Sequence, residues 1–202
     1  MKVVLATHNP HKVEEIRDIL AGLDIELLSL DSFPEIGEIV EDGDTLEENA
    51  RKKARTVYEA THLLSLADDT GLEVEALGGR PGVYSARYSG ENATYKENNE
   101  KLLGELNGVP PARRQAKFRC VISIIGETTD EIALGEVPGS IIEAERGTNG
   151  FGYDPLFVPD GYEITYAEMD SALKNSLSHR ARALEEAKRI LSGLAGTKGA
   201  GE

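Results

Sequence analysis

Apolar positions along this chain keep two different periods. Lys2 to Thr7 (KVVLAT), Ile25 to Leu30 (IELLSL), Leu63 to Ala67 (LLSLA) and Phe118 to Ile125 are short apolar runs and read as strands; Glu131 to Val137 and Ser140 to Glu143 read as a hairpin. Other stretches place apolar residues three and four apart. Val13, Ile16, Ile19 and Leu20 form one such stripe, Leu46, Ala50, Ala54 and Val57 a second, Leu102, Leu103 and Leu106 a third, and Ala181, Leu184, Ala187 or Lys188, and Leu191 a fourth. Cap chemistry marks the starts: Asn9 followed by Pro10, and Asp44 and Thr45 each followed three residues later by Glu47 and Glu48. Helices alternate with strands early and strands cluster late, which predicts an α/β protein with a mixed β-sheet. Residues 1–192 read as a single domain, and Gly193 to Glu202 (GLAGTKGAGE) as a linker-like tail.

Composition narrows the function classes. With 202 residues the chain can bury a sizeable core without staples. A net charge of -14, from 36 acids against 22 bases, argues against a nucleic-acid polymer as partner, because such binding needs a basic surface that releases counterions. The single Cys120, inside AKFRCVISIIG, reads as a buried strand residue, which excludes disulfides and zinc clusters. No basic leader precedes the first strand and no window is long and apolar enough to span a membrane, so a cytoplasmic protein is expected.

The most informative stretch is LADDTGLEVEALGGRPGVYSARYSG, Leu66 to Gly90. Asp68 and Asp69 end a strand, so their carboxylates point to opposite faces, and one is expected to face a cleft. Thr70 and Gly71 read as a turn beyond them. Lys12 lies in the first turn of a predicted helix, where the dipole disfavours a cation; a phosphate ligand would explain it, and so would plain solvation. Glu41 is either a solvated loop acid or a metal ligand, the latter only if the fold brings it to the two aspartates. Asn49 and Lys53 share one helix face. Gly150 and Gly152 flank Phe151, ahead of Tyr153 and Asp154: a backbone that can approach a ligand beside a flat aromatic face, or an aromatic-anchored turn. Ser178 reads as an N-cap, with His179 and Arg180 in the next turn and Lys174 just before; donors so placed suit an acceptor-rich ligand. Hard oxygen donors favour Mg²⁺ over zinc. The residues alone therefore read as a Mg²⁺-dependent hydrolase of a nucleotide-like phosphate.

Five ordered motifs carry a resemblance. They are Thr7, Asn9 and Lys12 as T-x-N-x-x-K; the Glu41 to Ala54 pattern E-x-G-x-T-x-x-x-N-A-x-x-K-A; ADDTGLEVEAL with PGVYSARYSG; FGYDPLF; and KNSLSHR. Together they resemble the inosine/xanthosine triphosphate pyrophosphatases, or Ham1-like proteins, from Lys2 to about Leu191. His8 and His11 stand where glycine is frequent in that family, and Thr70 where serine is common.

The resemblance implies an elongated mixed sheet with flanking helices, two lobes around a central active-site cleft, and a homodimer. It implies hydrolysis of the deaminated purine nucleoside triphosphates dITP, ITP and XTP to monophosphate and pyrophosphate. By motif, Thr7, His8, Asn9, Pro10, His11, Lys12 and Lys53 would hold the triphosphate. Glu41 and Asp69, with Asp68, would hold Mg²⁺, with Asp69 as proton acceptor. Thr70 would touch the phosphates, and Phe151, Gly152, Tyr153, Asp154, Lys174, His179 and Arg180 would read the base. The rival readings are a Maf-like pyrophosphatase of other modified nucleotides and a nucleotide-binding sensor without catalysis.

Overall fold

The computed structural model describes residues 1–197; residues 198–202, the end of the predicted tail, lie outside them. Strand β1 (Lys2–Leu5) pairs in parallel with β2 (Glu26–Ser29), Val3 opposite Leu27, and with β3 (Leu64–Val74), Val3 opposite Leu64. Parallel neighbours need crossovers, and helices α1 (Pro10–Leu20) and α2 (Leu46–Thr61) lie in them. The remaining elements are β4 (Pro81–Gly82), α3 (Tyr95–Glu105), β5 (Gln115–Ile125), β6 (Asp130–Ile141), β7 (Phe157–Pro159), α4 (Ser171–Leu177) and α5 (His179–Thr197). Hydrogen-bonded neighbours run β2-β1-β3-β5-β6-β7, with β4 antiparallel on β3 and β7 antiparallel on β6, so the sheet is mixed.

The chain forms two compact units: Met1–Asp69, Cys120–Gly135 and the segment from Arg180 onward make the first, Thr70–Arg119 and Glu136–His179 the second. In the first, alternation along β1 sorts the core. Val3 and Leu5 pack with Ile16 and Leu20 of α1 and Leu184 and Leu191 of α5, whereas Val4 and Ala6 pack with Ala54 and Val57 of α2. A strand covered on both faces must be apolar throughout, which is why it reads as an unbroken run. Each fully buried leucine or valine contributes about 1.5 to 3 kcal/mol. Cys120 is buried in this core as expected. The second unit's core joins Leu72, Val74, Leu102, Phe118 and Phe157, with the Phe118 and Phe157 rings edge to face at 4.8 Å.

The helix starts follow their caps. The Asn9 side chain accepts the N–H groups of His11 and Lys12, Thr45 Oγ1 that of Glu48, and Thr94 and Glu97 close a reciprocal capping box. Three expectations are corrected. Thr70 and Gly71 are strand, not turn, because β3 continues to bury Leu72 and Val74 and pairs there with β4. The expected hairpin is one strand, β6, running through Pro138 and Gly139; a Cβ on Gly139 would stand 2.3 Å from the Val158 carbonyl, so glycine admits the β7 backbone. The predicted tail is helical up to Thr197, as the end of α5. Among the described residues no helix is long and apolar enough to cross a membrane.

Candidate active site

The alternation that sorts β1 also separates the two aspartates. Leu66 belongs to the α1/α5 side and Ala67 to the α2 side; Asp68 continues the first and Asp69 the second. Accordingly, Asp68 Oδ2 accepts from Arg180 Nε at 3.2 Å and Nη2 at 3.0 Å, Asp68 Oδ1 lies 3.1 Å from Lys12 Nζ, and Arg180 Nη1 also donates to Glu15. On the other side Lys53 Nζ donates to Glu41 Oε1 at 2.6 Å, to the Asp68 carbonyl at 2.8 Å and to Asp69 Oδ1 at 3.1 Å. The fold thus brings Glu41 to the aspartates, the condition on which its reading as a ligand depended.

Charge balance differs between the two. Burial opposes ionisation of Asp68, but Lys12, Arg180 and Lys53 outweigh it and hold the carboxyl well below the usual carboxylate range. Burial also raises Asp69, and here it prevails: Glu41 adds to it, and Lys53 and Lys12 offset it only in part. Lys53 itself is disfavoured as a cation by burial, yet Asp69, Glu41 and Asp68 raise its pKa. Asp69 Oδ2 is buried with no hydrogen-bond partner among the described residues. A buried anion's oxygen without a donor is costly, and a cation or a water hydrogen would complete it.

The residues therefore fit a divalent cation. Magnesium typically takes one or two protein carboxylates and completes its shell with water and substrate phosphates. Among the described residues no three acidic, histidine or cysteine side chains converge as a full cage, consistent with Asp68 being turned toward Lys12 and Arg180.

The predicted phosphate loop, Thr7 to Lys12, runs from β1 into α1. Thr7 Oγ1 accepts from Asn9 N at 3.2 Å, and the His8 ring lies 3.4 Å from Asp31 Oδ1 and 3.2 Å from the Gly37 carbonyl oxygen. Pro10 has no N–H and Asn9 takes those of His11 and Lys12, so this terminus offers an anion its dipole and Lys12 rather than spare backbone donors. A groove of about 420 Å³ is lined by Thr7, His8 and Pro10 together with Arg17 and Asp31, but not by Glu41, Asp68 or Asp69.

In the second unit the loop from Gly150 to Asp154 folds around one carboxylate. Asp154 Oδ2 accepts from Phe151 N at 2.8 Å and from Lys174 Nζ at 2.5 Å. Gly150 has φ +71°, and a Cβ there would stand 2.1 Å from Asp154 Oδ2, so glycine is required. Lys174 Nζ lies 5.0 Å above the Phe151 ring, while His179 stacks on Phe118 at 4.5 Å with ring planes 12° apart. Tyr153 is turned inward and donates to the Ser85 carbonyl at 2.9 Å. Thr70 is half-buried in β3, next to Asp69 in the chain.

Sequence reasoning missed several participants. Glu15 was one more helix glutamate, although it pairs with Arg180, 165 positions away. Tyr166, fully buried, has its ring within 5.8 Å of Lys174 Nζ and 6.1 Å of His179, and Asn99 Nδ2 holds the Gly152 carbonyl at 3.2 Å. Only a buried polar residue on an otherwise apolar helix face could have signalled Asn99.

Comparison with known proteins supplies a family. The Ham1 family model matches residues 3–190. A dITP/XTP pyrophosphatase of Geobacter sulfurreducens is 52% identical over 184 residues, 91% of this chain and 92% of that protein. One from Thermoanaerobacter pseudethanolicus is 47% identical over 191 residues, covering 95% and 96%. Among solved structures, a HAM1 protein from Coxiella burnetii matches with a TM-score of 0.87 at 39% identity, over 96% of this chain and 99% of its own.

Proposed function

Since the chain belongs to the Ham1 family, we propose that it is a nucleoside triphosphate pyrophosphatase that hydrolyses dITP, XTP and ITP to the monophosphate and pyrophosphate with Mg²⁺, clearing deaminated purines from the nucleotide pool. The observation that carries this reading is the buried Asp69 carboxylate, raised in pKa, with Oδ2 unpartnered among the described residues and Oδ1 linked through Lys53 to Glu41. Family membership favours this purine reading over a Maf-like one. The cytoplasmic location and the homodimer implied by the resemblance are part of the same proposal.

Glu41 and Asp69 would hold the metal, and Asp68 would serve by fixing Lys12 and Arg180. Bound magnesium would neutralise charge that builds on the phosphate oxygens during displacement. Asp69 Oδ2 takes a proton from the attacking water, whose oxygen bonds to the α-phosphorus as the bond to the pyrophosphate oxygen breaks. A raised pKa makes that carboxylate a better proton acceptor than an ordinary aspartate. Lys12 and Lys53 place positive charge against the triphosphate, with Thr7 to His11 and Thr70 beside it.

Base reading falls to the second unit. Phe151 offers a flat face; Lys174, held by Asp154, and His179, held by Phe118, offer donors. A 6-keto purine presents an acceptor there, whereas adenine presents an amino group. Leaving a buried donor unpaired against it costs about 1 to 3 kcal/mol. Arg180, expected to read the base, is engaged with Asp68 and Glu15, which gives it a share in the acid site's charge balance. The test is pyrophosphate release over a panel of dITP, ITP, XTP, ATP and GTP. Release from the first three at far higher kcat/KM supports the proposal; orthophosphate release, equal rates on ATP, or binding without turnover sinks it.

A further inference from the structure

The loop that carries Glu41 does not merely approach α2; it is fastened along it. Two of its ties are partly buried: Glu41 Oε1 to Lys53 Nζ at 2.6 Å, and Gly43 N–H to Asn49 Oδ1 at 2.8 Å. The other two are exposed: Asp42 Oδ1 to Lys52 Nζ at 2.5 Å, and Asp44 N–H to Glu48 Oε2 at 2.8 Å. Four consecutive loop residues thus engage four α2 residues in reverse order, a strap laid antiparallel on the helix.

Asn49 differs from the other three helix partners. It is uncharged and fully buried, and its Nδ2 has no hydrogen-bond partner among the described residues. Its orientation is fixed by chemistry, because Gly43 N–H requires an acceptor and an inverted amide would set two donors face to face. The contact is also fitted closely: a Cβ on Gly43 would stand 2.8 Å from Asn49 Oδ1 and 2.8 Å from Glu48 Cβ. A buried asparagine whose NH₂ group finds no partner among the described residues is not there for its own stability.

We propose that Asn49 is a positioning residue for the metal site: it sets the register of the 41–44 strap on α2 and so places the Glu41 carboxylate beside Lys53 and Asp69. Lys53 lies one helical turn beyond Asn49 on the same face, so one rigid element fixes both the strap and the cation that bridges Glu41 to Asp69. The inference rests on the reading of Glu41 as a metal ligand. Partners that orient a ligand from behind typically change metal affinity about 10- to 100-fold when removed.

The experiment pairs two readouts on Asn49→Ala: amide hydrogen exchange of Gly43 in the nucleotide-free protein, and the Mg²⁺ concentration giving half-maximal pyrophosphate release from dITP. The expected result is Gly43 exchange faster by about tenfold or more, with a Mg²⁺ requirement raised about tenfold or more and by a larger factor than kcat falls. Faster exchange with an unchanged Mg²⁺ requirement overturns the proposal, and so does unchanged exchange. Glu41→Gln separates the two levels: a normal Mg²⁺ requirement there sinks the metal reading itself, whereas a raised one beside a normal Asn49→Ala sinks only the positioning role. If Asn49→Ala does not fold, Gly43→Ala disturbs the same contact from the loop side and is read in the same way. Where both fold, the double variant should be no worse than the more impaired single, since both act through one contact; full additivity counts against it.

Discussion

Asp68 and Asp69 are neighbours of the same residue type, both buried, on the two sides of one strand, and their surroundings set them to opposite tasks. The Asp68 side gathers Lys12 and Arg180 and holds the carboxyl ionised; the Asp69 side offers one shared lysine and a second carboxylate, and its pKa rises. Burial is common to the two, so it cannot explain the difference. The count of cations within reach of each oxygen does. One side of the strand is arranged to keep its charge, and the other to gain a cation or a proton.

The largest expected effect breaks the chemical half of this comparison. Asp69→Asn keeps the shape and removes the proposed proton acceptor, so kcat on dITP should fall by about 10²- to 10⁴-fold while nucleotide affinity partly survives. Turnover near wild type would remove Asp69 from the mechanism.

A smaller effect, in stability, sharpens the electrostatic half. The Asp68 pKa is lowered on folding from an ordinary 3.8, so its stabilisation is fully present above that pH and is lost as pH falls below it. The Asp69 pKa is raised on folding, so its ionisation opposes folding above its folded pKa, and that cost is relieved as pH falls from the folded pKa toward the ordinary 3.8. Acid unfolding of the nucleotide-free protein should therefore steepen only below about pH 4, the ordinary aspartate value. Asp68→Asn should flatten that limb; an unchanged limb would show that Asp68 does not carry it.

The smallest effect contrasts the acid site with the residues proposed to read the base. His179→Ala should narrow the ratio of kcat/KM between ITP and ATP by about tenfold, the worth of one lost buried donor. A phosphate-binding role would weaken both substrates alike and leave the ratio intact. Loss of melting temperature with normal kinetics would assign His179 to packing on Phe118.

What the sequence made legible is what short-range physics determines. Caps at Asn9 and Thr45 and the 3.6-residue stripes located helices, and period-2 alternation placed Asp68 and Asp69 on opposite faces before any partner was known. Turn chemistry misled at Thr70-Gly71 and Pro138-Gly139, because pairing with β4 and the close approach of β7 are tertiary facts that override local propensity. Partners of charged side chains were not legible either. Nothing near Arg180 in the chain points to Glu15, and Asn49 looked like one more helix-face polar residue until the Glu41 loop lay along it.

The most direct test of the split between the aspartates is the unfolding free energy of Asp68→Asn and Asp69→Asn, measured side by side at pH 7 without nucleotide or metal. Asp68→Asn should lose about 3 to 5 kcal/mol, because Arg180 and Lys12 are left with an uncompensated charge inside the protein. Asp69→Asn should lose clearly less, because Lys53 keeps Glu41 as a counter-charge and burial already opposed the Asp69 charge. Equal losses in the two variants, or a larger loss at Asp69, would contradict the account.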